Sequence, residues 1–77
     1  MNVKFSKHAV QRLRERFPRA IVSLVQIIER GLFNGWASPL PNEQWSLEGT
    51  IGHRPVRVVV ADAKGGVVTV ITAYWVD

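Results

Sequence analysis

Ser6-Lys7-His8-Ala9-Val10-Gln11-Arg12-Leu13-Arg14-Glu15-Arg16-Phe17 reads as one amphipathic helix, and the rest of the chain has to be arranged around it. At about 100° per residue, Ala9, Val10, Leu13 and Phe17 make an apolar face, while His8, Arg12 and Arg16 fall on an adjoining stripe four residues apart. Ser6 is placed to cap the start, because its hydroxyl can accept from a free amide of the first turn. Pro18 stops the helix near Phe17, since the residue before a proline is pushed out of helical geometry.

Beyond that proline, Ala20, Ile21, Leu24, Val25, Ile27 and Ile28 recur at helical spacing from Arg19 to Arg30, and Gly31 stands where a left-handed C-cap is wanted. A second amphipathic helix is expected. The many β-branched residues make a buried strand the competing reading, but a run of about twelve residues ended by glycine favours helix. Leu32 to Asn42, with Gly35, two prolines and Trp36, reads as loop.

Gln44 to Thr50, Arg54 to Ala61 and Val67 to Val76 have strand composition. Ile51-Gly52-His53 and Asp62-Ala63-Lys64-Gly65-Gly66 are short enough to make the succession antiparallel. Met1 to Phe5 is a candidate brief edge strand. Alternation sets Val56, Val58 and Val60 against Arg57, Val59 and Ala61, and Val68, Val70, Thr72 and Tyr74 against Val67, Thr69, Ile71, Ala73 and Trp75. The expected fold is α+β, a single domain over residues 1–77, with two N-terminal helices on a three- to four-stranded antiparallel meander. Which parity of the last strand faces the helices stays open, because both faces are apolar enough to be buried.

Composition narrows the functional classes. The 77 residues carry ten Lys and Arg against six Asp and Glu, a formal charge of +4. Six of those cations, Lys4, Lys7, Arg12, Arg14, Arg16 and Arg19, lie in the first nineteen positions, where Glu15 is the one acid. A positive field concentrated on one end favours an acidic partner such as nucleic acid. The absence of cysteine excludes disulfides and thiolate catalysis. Two histidines far apart, with no carboxylate at ligand spacing, argue against a metal site, and no cofactor motif is present. No apolar run has the length of a signal peptide core or a membrane span, so a cytoplasmic protein is expected.

Cleaving RNA without a metal needs an acid and a base for the 2′-hydroxyl and the leaving oxygen, and cations for the charge gathering on phosphorus. His8 and His53 are the imidazoles available for proton transfer. Arg12, Arg16, Arg57 and Lys7 are candidates for phosphate, arginine offering it a planar fork, and Thr69, Thr72 or Tyr74 can orient it by hydrogen bonds. Each has a plainer reading: a solvated basic helix face partly tied by Glu15, a polar turn histidine, threonines chosen for strand packing. Trp36, Trp45 and Trp75 could stack on bases, or fill the core and bridge loop to sheet.

The segment His8-Ala9-x-x-Arg12-Leu13-x-Glu15-Arg16, then an apolar helix ending at Arg30-Gly31 and a valine-rich hairpin closing in Val68-Thr69-Val70-Ile71, resembles a family of small bacterial and phage domains of unknown function. Those domains open with an HA-x-x-R-x-x-x-R helix. That family is in turn similar to the RelE, barnase, EndoU and colicin-type ribonuclease superfamily, in which an N-terminal helical part packs on an antiparallel sheet. The resemblance implies metal-independent, toxin-like endoribonuclease chemistry. His8 would be the acid/base group, Arg12 and Arg16 the phosphate binders, and Thr69 or Thr72 the sheet-side partner. RNA would be the substrate, and an antitoxin or immunity protein a partner. The chain departs from the pattern in lacking the lysine and arginine array that RelE-type toxins carry on their central strands. A rival expectation is a non-catalytic phage or mobile-element protein that uses the basic helix or the tryptophan-bearing loop to bind and inhibit a host enzyme.

Overall fold

The computed structural model describes residues 2–61 and 66–76. Along the chain run β1 (Asn2–Phe5), α1 (Lys7–Arg16), α2 (Ile21–Phe33), β2 (Ser38–Leu40), β3 (Gln44–Ile51), β4 (Arg54–Ala61) and β5 (Val67–Trp75). The fold is α+β, two helices against one sheet of order β1-β5-β4-β3-β2. Among the described residues no helix is long and apolar enough to cross a membrane.

α1 starts and stops for local reasons. Ser6 Oγ accepts from the Ala9 amide at 3.1 Å, and Phe17 leaves helical geometry at φ −132°, ψ 63° ahead of Pro18. One turn apart, Ala9, Leu13 and Phe17 are all buried, as are Leu24 and Ile28 of α2. They meet Leu47, Val56, Val58, Val60, Val70 and Ala73 from one face of the sheet, which makes the core a single helix-on-sheet layer.

Two expectations about the sheet are corrected. The antiparallel meander exists as β2 to β5, but β1 adds a fifth strand parallel to β5, pairing Asn2 with Val67 through Phe5 with Val70. β2 lies inside the segment expected to be loop. It is three residues long, with Pro39 at its centre. No periodicity can show in so short a strand, and proline is tolerated there because β2 is an edge.

The expected C-cap at Gly31 is also corrected. α2 runs on to Phe33, and the left-handed residue is Gly35 at φ +70°. The Trp36 amide donates to the Gly31 carbonyl at 2.8 Å and the Gly35 amide to the Leu32 carbonyl at 3.3 Å, the paired bonds of a Schellman end. Gly31 is glycine because the helix presses on the sheet: a β-carbon there would overlap Leu47 Cδ2. Gly49 of β3 admits α2 in the same way, since a β-carbon there would lie 2.7–3.0 Å from the Ile27 side chain. Gly31→Val should therefore cost about 1–3 kcal/mol through overpacking, more than helix propensity returns. At about 4–8 °C per kcal/mol for a domain this small, a melt followed by circular dichroism resolves it. An unchanged midpoint would refute the close approach.

The last strand is not a simple alternation. β4 and β5 pair Val59 with Thr72 but Val60 with Val70, so Ile71 is an extra residue, a β-bulge. Strict alternation would set Val70 and Ala73 on opposite faces, yet both are fully buried. The bulge resolves the parity left open above: Val68 and Val70 face the helices before it, Ala73 and Trp75 after it. Of the turn expected at Asp62-Ala63-Lys64-Gly65-Gly66, residues 62–65 lie outside the described residues, and Gly66 has the positive φ expected there, +77°.

Candidate functional site

β1 pairs with β5 only as far as Val70, and from there α1 lies along β5 in its place. The handover is direct, since Ser6 is the one residue between β1 and α1. Arg16 Nη1 donates to the Ala73 carbonyl at 3.2 Å, satisfying an acceptor on an edge that would otherwise be open. This bond and the burial of Ala9, Leu13 and Phe17 fix the rotation of α1, turning the His8 stripe toward β5.

A cleft of about 340 Å³ results, lined by His8, Ala9, Arg12 and Leu13 of α1 and by Ile71 and Thr72 of β5. It has the size range of small-ligand sites, about 300–1,000 Å³. Both β5 residues belong to the bulge, a device that re-aims side chains beside functional sites. His8 and Arg12 are exposed and Thr72 half-buried. Among the described residues no carboxylate pairs with Arg12 or Arg16, so the tie to Glu15 contemplated from sequence does not form. A proton-transfer group, a fixed cation and a hydroxyl thus border one hollow, with no acid among the lining residues.

The other candidates lie elsewhere. His53 is exposed in the Gly52-His53 turn between β3 and β4. The register pairs Thr72 with Val59 and Ile51 with Arg54, setting that turn at least five residues of β4, about 17 Å, from the cleft. Lys7 faces away on the opposite flank of α1, beside Phe5 and Val10. Arg57 stands on the sheet face away from the helices and already has partners. Its Nε donates to Glu48 Oε1 at 3.0 Å, its Nη2 to the same oxygen, and its Nη1 to the Tyr74 hydroxyl at 3.4 Å. The Glu48 carboxylate first, then Tyr74, hold this guanidinium above its ordinary pKa. Glu48 was absent from the sequence reading although the signal was there: a two-residue turn after Ile51 sets Glu48 opposite Arg57.

The tryptophans divide. Trp75 packs on Phe17 with ring centroids 4.7 Å apart and carries the Arg54 guanidinium 4.1 Å above its ring, and Trp45 packs against the core. Trp36 remains 63% exposed, and Phe33 at the end of α2 89%.

Fold and site together define a small basic α+β domain with a histidine- and arginine-lined cleft at a helix–strand seam. Compared with known proteins, the chain matches no family model, no curated protein and no solved structure.

Proposed function

We propose that this domain is a small toxin-like or phage-encoded, metal-independent endoribonuclease, similar to the RelE, barnase, EndoU and colicin-type superfamily, acting on RNA in the cytoplasm. The observation that carries the reading is the shared cleft of His8, Arg12 and Thr72. In this scheme Arg12 holds the scissile phosphate by its guanidinium fork, and the charge that builds on the non-bridging oxygens strengthens that contact in the transition state. His8 takes the 2′-hydroxyl proton as that oxygen attacks phosphorus and gives it to the departing 5′-oxygen as the phosphorus–5′-oxygen bond breaks, leaving a 2′,3′-cyclic phosphate. Thr72 orients a phosphate oxygen. Arg16, bonded to Ala73, positions the helix. An antitoxin or immunity protein would be the natural partner.

The test is single-stranded RNA incubated with the purified protein in excess EDTA. Cleavage with cyclic-phosphate ends is expected, weakening as salt rises because phosphate contacts release counterions. RNA left whole would overturn the proposal. The rival reading, a non-catalytic protein that inhibits a host enzyme, draws on the exposure of Phe33 and Trp36, since aromatic rings bared to solvent are typical anchors of protein interfaces.

A further inference from the structure

The flank of α1 opposite the cleft carries a second feature. Counting about 100° per residue, Ala9 and Leu13 point into the core, His8 and Arg12 lie to one side, and Lys7, Val10 and Arg14 lie to the other. On that other side two adjoining hollows, of about 470 and 340 Å³, share Phe5, Val10 and Arg14. Together they form a trough running beside α1. Its floor is apolar, from Phe5, Val10 and Ile21, all half-buried. Lys7 and Arg14 stand at its rim, both exposed, with Gln11 between them and Glu15 as the one acid.

We propose that this trough docks an acidic amphipathic helix of a partner protein. Three features select that occupant. From Lys7 to Glu15 the trough follows the helix for about 12 Å, or two turns, at 1.5 Å per residue. Lys7, Val10, Gln11 and Arg14 present the i, i+3, i+4, i+7 spacing into which another helix packs. The rim cations outnumber the single rim carboxylate, so a segment with leucine-like residues toward the floor and carboxylates toward Lys7 and Arg14 is complementary in shape and charge. A lipid surface shares the charge preference, but a flat bilayer does not fill a concave trough. The docking is independent of the nuclease proposal, because no polar residue is common to the trough and the cleft.

The experiment titrates the isotope-labelled full chain with a capped helical peptide of leucine and glutamate, followed by amide chemical shifts. Saturable shifts at Phe5, Val10 and Ile21 are expected, weaker at high salt. Affinity should fall about tenfold or more for Lys7→Glu combined with Arg14→Glu, since rim charges steer such encounters. Both residues are exposed, so the variant keeps its core, which the same spectrum verifies. Val10→Ser provides a second variant that leaves the charges and weakens the floor, and it should also reduce binding. The proposal is overturned by absence of saturable shifts, by shifts centred on His8 and Ile71, or by equal binding of a leucine and lysine peptide. It is overturned as well if anionic phospholipid vesicles bind the chain and the glutamate peptide does not.

Discussion

Replacing His8 by alanine should lower RNA cleavage by about a hundred- to ten-thousand-fold, the range contributed by a positioned acid or base, while leaving thermal stability within about 0.5 kcal/mol. The two halves of this expectation rest on separate observations. His8 borders the cleft, so in the proposed reaction its loss removes the acid/base group. It is exposed in the first turn of α1 and stands outside the buried core, so its loss leaves the fold intact, and alanine is the better helix former. Arg12→Ala should instead weaken RNA binding and flatten its salt dependence by about one counterion. Thr72→Val preserves the β-branched shape on the bulge and removes the hydroxyl alone. Cleavage assays and melting curves on the three variants check the scheme. A His8→Ala protein that still cuts at the wild-type rate would remove the imidazole from the reaction.

The second large effect is on the fold. Phe17→Ala should cost about 3–5 kcal/mol, the usual penalty for truncating an enclosed aromatic residue. A domain of 77 residues has about 4–12 kcal/mol of stability to lose. Phe17 is 1% exposed, sits at the joint between the helices, and packs its ring on Trp75 at 4.7 Å. The truncation therefore opens a cavity and also removes an aromatic pair worth about 0.5–1.5 kcal/mol beyond burial. Denaturant unfolding monitored by tryptophan fluorescence reports both, because Trp75 loses its neighbour. Phe17→Leu should recover most of the loss, and a cost below about 1 kcal/mol for the alanine variant would show that the ring is not enclosed.

These two residues also mark how far the fold and site could be read in advance. Phe17 was legible as a core residue from its place on the stripe of Ala9 and Leu13 and from the proline behind it. His8 and Arg12 were legible as neighbours because four residues make about one helical turn. A strand hydroxyl beside them was expected from the resemblance, but the choice between Thr69 and Thr72 was not legible, since Thr72 reaches the cleft through a bulge at Ile71. The bulge defeats the alternation rule at the strand that matters most. Gly31 misled for a related reason: glycine at a helix end suggests a turn, whereas here it relieves contact with Leu47, a residue 16 positions away.

The helices, their apolar faces and the succession of antiparallel strands were written in local order, because each depends on neighbours within one turn or one hairpin. The parallel seating of β1 on β5, the break in β5 pairing and the use of α1 to close the sheet edge depend on segments 57 to 65 residues apart, as Arg16 meeting Ala73 and Asn2 meeting Val67 illustrate. Such pairings follow from which edge is left unsatisfied once the core has closed. No periodicity in a single stretch of chain can encode that, and it is the closed core that places His8 and Arg12 beside Thr72.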